Sequence, residues 1–160
     1  MWKKTDTDGK YRLWLSLMLT SDIVHYARDK ELSQYGFSAR QASVLFTIHT
    51  LGNDATVGNI SKWLFRKPQT ITGILSRMEK QGLIKKRRDS RRRSVVKVKI
   101  TKKGQEAYSL STKRTSIKNI MSILSEKEAR YLRKCLTKLR KNALEELMGN
   151  PEDVFNSILL

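Results

Sequence analysis

The chain has 160 residues, 39% hydrophobic and 30% charged, with a formal charge of +18. It can therefore pack one domain with added helices and is not a disordered polyelectrolyte, while charge of one sign on that scale repels itself and calls for an anionic partner. The single cysteine, Cys135, excludes an intrachain disulfide framework and fits a reducing compartment, and no apolar run reaches the roughly 18–20 residues of a membrane span, so no membrane partner is expected.

Lys3, Lys4, Lys10 and Arg12 precede an apolar run at residues 13–19 and imitate a short secretion signal. Asp22, His25 and Arg28 follow with no small-residue cleavage site, so the cytoplasm, at the nucleoid, is the expected location. Residues 11 to about 32 read as one long helix without Gly or Pro, apolar nearly all round at its start. Such a helix needs cover on all sides. A subunit interface through Leu13 and Leu17 is the reading adopted, with burial inside the monomer as the alternative.

Gly36 marks a turn, and Ser38 with Gln41 forms a capping box for a helix that points Ala42, Leu45, Ile48 and Leu51 inward. Gly52 closes it and residues 52–55 are loop. Thr56 caps a short helix with Val57, Ile60 and Leu64 inside, and Pro68 suits the first turn of the next, whose buried stripe is Ile71, Ile74, Leu75 and Met78. Gly82 ends that helix. Helix, tight turn and helix in succession is the helix-turn-helix order.

The charge is concentrated just there. Residues 66–104 hold 15 Lys and Arg against 2 acids, Glu79 and Asp89, a net +13 in 39 residues. Leu83 and Ile84 on one side, and the alternation of Val96, Val98 and Ile100 with Lys97 and Lys99 on the other, predict two strands around a cationic tip. Thr101 then caps a helix expected to run to about Leu124, and Ser125 with Glu128 opens another. Its stripe is Ala129, Leu132, Leu136, Leu139, Ala143 and Leu147, with a stop at residues 149–151.

With its apolar stripe buried, the second helix of the pair exposes Pro68, Gln69, Thr70, Thr72, Gly73, Ser76 and Arg77. Short hydroxyls and an amide can hydrogen-bond base edges without holding the helix away from them, and Gly73 permits close approach. In the hairpin, Arg91, Arg92 and Arg93 suit insertion into a narrow minor groove. Lys85, Lys86, Arg87, Lys97 and Lys99 suit flanking phosphates, Arg88 opens the cationic tip of the wing, and Asp89 is placed to hold an arginine extended.

This pattern resembles the multiple antibiotic resistance regulators, the MarR family of bacteria and archaea, over about residues 11–148. The family's wing signature, Asp-x-Asp-Arg-Arg followed by a strand and Leu-Thr-x-x-Gly, is matched at Asp89, Arg92, Arg93, Thr101 and Gly104. It departs at Arg91, which stands where the second acid is usual. The resemblance implies a homodimer with interlocking N- and C-terminal helices, here through Leu13, Leu17, Leu136, Leu139 and Leu147. It also implies a pseudo-palindromic double-stranded DNA operator, repression, and release by a small aromatic or other apolar inducer in a pocket touching Trp14, Phe46 or Trp63.

The expected fold is mainly α with a small β-hairpin wing. Residues 1–35 and 105–160 supply dimerisation helices around a winged helix-turn-helix at 36–104. Cys135, one step off its helix stripe, reads as a small buried hydrophobe rather than a redox sensor. His25 and His49, with only Asp22 close by, make a poor metal site; no metal or other cofactor is expected. A phosphate-ester hydrolase needs clustered carboxylates or a His–nucleophile pair, which the basic segment lacks, so no enzyme is expected. The alternative to a sequence-specific regulator is an architectural protein that uses the same basic lobe without sequence preference.

Overall fold

The computed structural model describes residues 9–89 and 95–148, in the order α1 (Gly9–Ser33), α2 (Ala39–Leu51), a 3-10 turn (Gly52–Asp54), α3 (Val57–Trp63), α4 (Pro68–Lys80), β1 (Ile84–Arg88), β2 (Val96–Ile100), α5 (Lys102–Ser111), α6 (Thr115–Met121) and α7 (Glu126–Met148). Arg91, Arg92 and Arg93, and the stop at residues 149–151, lie outside the described residues. The fold is helical with one two-stranded antiparallel hairpin, as the sequence predicts.

The caps form where the side chains call for them. Ser38 Oγ accepts the Gln41 N–H at 3.2 Å while Gln41 Oε1 accepts the Ser38 N–H at 2.9 Å. Ser125 and Glu128 repeat the reciprocal arrangement at the start of α7. Thr56 caps α3 through the Asn59 N–H at 3.1 Å, and Thr101 caps α5 through that of Gly104 at 3.1 Å. Each cap satisfies a helix N–H that has no partner within the helix.

One core unites α2 to α5 with the wing. Leu45, Ile60, Ile71, Leu75, Met78, Ile84 and Val98 are all fully buried. The same cluster takes in Leu32 from the last turn of α1 and Ala107 from α5. An isolated bridge supports the wing: the Ala55 carbonyl accepts the Val98 N–H at 2.8 Å, and Thr56 bridges to Lys97. The sequence reads residues 52–55 as loop, since two residues are too few to show alternation.

The helix expected from Thr101 to about Leu124 is broken in two. α5 ends at Ser111, where the Ser111 and Thr112 hydroxyls bond back to the Tyr108 and Ser109 carbonyls. Such local bonds compete with helix continuation. Arg114 then takes a left-handed conformation (φ +52°) and no side chain of its own caps α6. The cap comes from α1 instead: the Glu31 carboxylate accepts the Thr115 and Ser116 N–H groups, both at 3.0 Å, and the Ser116 hydroxyl. Beside it the buried Arg28 guanidinium donates to Glu31 at 2.6 Å and to the Ser111 carbonyl. Burial pushes the Glu31 carboxyl up, but the bonds from Ser116, Arg28 and Thr115 outweigh it and lower it from 4.5 to about 2.

α1 and α7 present broad apolar faces to solvent. Leu13 and Leu17 are 63% and 40% exposed, Leu139 and Leu147 49% and 68%, and Leu136 is half-buried. No helix among the described residues is long and apolar enough to cross a membrane.

Candidate nucleic-acid interface

α4 buries Ile71, Ile74, Leu75 and Met78 and turns Pro68, Gln69, Thr70, Thr72, Gly73 and Arg77 outward, with Ser76 half-buried. A Cβ added to Gly73 would meet nothing within 4 Å, so this stretch of helix surface is open to close approach. No acid lies in the first turn of α4, leaving the positive end of its dipole uncompensated.

The wing is attached to α4 by an acid. Glu79 accepts the Lys86 N–H at 2.9 Å and pairs with Lys86 Nζ at 2.9 Å, and the same ammonium reaches Ser76 Oγ at 3.2 Å. The side-chain and backbone bonds from Lys86 hold the Glu79 carboxyl below its usual value against the opposing effect of burial. The other acid of the segment, Asp89, pairs with Lys97 at 2.7 Å across the hairpin. Both acids of the +13 segment thus act as internal braces, and Lys86 and Lys97 are committed to them.

The register divides the hairpin faces. Ile84 opposes Ile100 and Lys86 opposes Val98 on the inner face, while Lys85 opposes Lys99 and Arg87 opposes Lys97 on the outer face. Like charges directly opposite one another destabilise a sheet. Asp89 answers Lys97 from the same face, so the like-charged pair that an anion would relieve is Lys85 with Lys99, next to the exposed Arg87. Arg88 is exposed beside them. The alternation at residues 96–100 carried this signal, but the pairing of Lys with Lys depended on the register.

Residues 37–95 match the family model described as MarR family. The fold superposes on the organohalide sensing RdhR-CbdbA1625 transcriptional regulator in its 2,4-dichlorophenol bound form with a TM-score of 0.81 and 26% identity, covering 87% of this chain and 83% of that one. Over residues 37–95, from the start of α2 into the wing, the chain is similar to the MarR family. Its fold is shared with E. coli MarR complexed with operator DNA (TM-score 0.75, 19% identity, 80% of this chain and 93% of that one). The transcriptional activatory protein BadR of Rhodopseudomonas palustris is 27% identical over 99 residues, 61% of this chain and 57% of that relative, so the match spans little more than half of BadR. The MarR family is one of DNA-binding transcriptional regulators, not of enzymes.

A cleft of about 870 Å3 lies between the terminal helices and the core formed by α2 to α5. Leu13 and Leu17 line it from α1, Phe46 from α2, Trp63 from α3, and Leu132 and Leu136 from α7. Trp14 is not among its lining residues and stacks on Tyr11, ring centres 5.4 Å apart. The ionisable side chains on its wall include His25, Arg28 and Arg114 but no Asp or Glu. His25 is paired with Asp29 at 3.5 Å, and His49 stacks on Tyr108. Cys135 is half-buried on α7. No three His, Cys, Asp or Glu among the described residues are grouped to hold a metal ion.

Proposed function

We propose that this protein is a MarR-family, sequence-specific transcriptional repressor that binds a pseudo-palindromic operator as a homodimer and is released by a small ligand. The observation that carries this reading is the open polar face of α4 beside a wing whose outer surface sets Lys85 against Lys99, with Arg87 exposed next to them. Gln69, Thr70, Thr72, Gly73, Ser76 and Arg77 read base edges in the major groove, with Pro68 leading the helix in. The outer wing residues bind phosphate, and Arg88 and the sequence-adjacent Arg91, Arg92 and Arg93 enter the neighbouring minor groove.

Dimerisation is the use for the apolar faces of α1 and α7, with Leu13, Leu17, Leu136, Leu139 and Leu147 at the contact. Two copies related by a two-fold axis then present two lobes to two half-sites. The cleft walled by Phe46 and Trp63 is the ligand site. Its apolar lining, with Arg114 on the wall and no acid, suits an apolar molecule carrying one acidic group. The dichlorophenol held by the 26%-identical regulator belongs to that class.

The test is a binding titration of the full chain against duplex DNA from upstream of its own gene and against shuffled duplex, at two salt concentrations. Preference for the upstream duplex of about a thousandfold or more near physiological salt supports the regulator. Equal binding that collapses with salt transfers the role to the architectural reading, which the +18 charge favours. A promoter fusion, with and without the protein, separates repression from the activation named for BadR. 2,4-Dichlorophenol and benzoate, compared with uncharged benzyl alcohol, test the ligand class by the thermal midpoint each produces.

A further inference from the structure

We propose that Phe65, in the turn between α3 and α4, reads the C5-methyl group of a thymine at the edge of each half-site; this rests on the DNA-binding reading above. The turn is a Schellman closure of α3. The Phe65 N–H donates to the Lys62 carbonyl at 3.1 Å and the Arg66 N–H to the Ser61 carbonyl at 3.0 Å. The residue at its corner must be left-handed, a place that glycine or asparagine usually fills. Phe65 sits there at φ +50°.

The chain closes α4 by the same two bonds, from Gly82 to Glu79 and from Leu83 to Met78, both 2.9 Å, and there the corner is Gly82 at φ +74°. At that second corner the following residue, Leu83, is buried against the core, whereas Arg66 is exposed. An aromatic ring is therefore held in an unfavourable backbone conformation without the apolar contact that usually accompanies the motif.

The ring does not act as a core anchor. Phe65 is 51% exposed and stands outside the core cluster. Nor does it face the ligand cleft, which takes Trp63 and Leu64, the two residues before it. It belongs instead to the exposed run Phe65, Arg66, Lys67, Pro68, Gln69 and Thr70 that leads into α4. A helix of this motif enters the major groove by its N-terminal end, which brings a residue three positions ahead of Pro68 to the groove margin. There the one apolar group on a base edge is the thymine methyl, and a phenyl ring is a side chain that contacts it. Strain retained at a surface corner is characteristic of residues whose position serves a function.

The experiment uses the full-length protein and a duplex that the wild type enriches from a random-sequence pool. Each thymine is replaced in turn by deoxyuridine, which removes the methyl and keeps the hydrogen-bonding edge. Wild type is compared with Phe65→Asn, which tolerates the left-handed corner, and with Phe65→Gly if the Asn variant does not fold by circular dichroism. At one symmetry-related pair of thymines, loss of the methyl weakens wild-type binding roughly fourfold per half-site, as expected for one buried methyl, and leaves the variant unchanged. If methyl loss affects wild type and variant alike at every thymine, or affects neither, the assignment of Phe65 is overturned while the regulator stands. A pool from which the wild type enriches no sequence overturns both.

Discussion

Replacing Gly104 by alanine is the most demanding test of how the wing is seated. A Cβ at this position would lie 1.9 Å from the Leu83 carbonyl oxygen, 2.8 Å from Ile100 Cγ2 and 2.9 Å from the Leu83 carbonyl carbon. Carbon–oxygen contacts normally begin near about 3.3 Å, so the Leu83 carbonyl must retreat by more than about 1 Å. That carbonyl accepts the Thr101 N–H at 3.1 Å, and the neighbouring Gly82 carbonyl accepts the Thr101 hydroxyl at 2.5 Å. Overpacking costs about 1–3 kcal/mol and each weakened hydrogen bond about 1 kcal/mol. The better helix propensity of alanine offsets about 1 kcal/mol. A net loss of about 2–4 kcal/mol follows, a lowering of the thermal midpoint by roughly 4–16 °C for a chain of this size. Urea unfolding followed by circular dichroism measures it, and DNA affinity falls as well because the wing leaves its place beside α4. An alanine variant as stable as the parent would refute the close seating of α5 against the wing base.

Gly73→Ala separates stability from function: the open space around Gly73 lets alanine stabilise α4 by about 0.5–1 kcal/mol, while the added methyl on the base-facing side weakens DNA binding, read by melting and titration of the same sample. Lys85→Gln or Lys99→Gln relieves a like-charged cross-strand pair, raising stability by about 0.2–1 kcal/mol; each lost phosphate contact flattens the log–log salt dependence of binding by roughly 0.9. Glu31 has a folded-state pKa lowered from 4.5 to about 2, so its contribution is complete above about pH 4.5 and is lost as the pH falls toward 2. The lowered pKa sets a ceiling of about 3 kcal/mol on this contribution. Glu31→Gln accordingly lowers stability at neutral pH and flattens the acid limb of a stability–pH curve, and an unchanged acid limb would count against the cap.

Local chemistry was legible in the sequence wherever it was self-contained. The Ser38–Gln41 and Ser125–Glu128 boxes, the stripe of Ile71, Ile74, Leu75 and Met78, and the alternation of Val96 to Ile100 each state a geometry within a few residues. What escaped depends on partners distant in the chain. The break after Ser111 was hidden because the cap of α6 comes from Glu31, more than eighty positions away. The Ala55–Val98 bond belongs to an isolated bridge, too short to show a period. The role of Asp89 toward Lys97 required the hairpin register. Phe65 passed unnoticed because only its backbone angle distinguishes it from an ordinary surface aromatic.

The final turn of α1 has a consequence for how such a protein can be taken apart. Leu32 is wholly buried in the core formed by α2 to α5 and the wing, and in the turn just before it Arg28, Asp29 and Glu31 hold the Ser111 carbonyl, the Ala39 N–H and the start of α6. The helix offered for subunit pairing is thus also a plug in the reading head. A graft that moved residues 36–104 alone onto another dimer would uncover the hole that Leu32 fills and leave Ala107 behind. The transplantable unit begins at Arg28 and ends at Ser111, and its orientation on any new host is set by the host helix that continues into it.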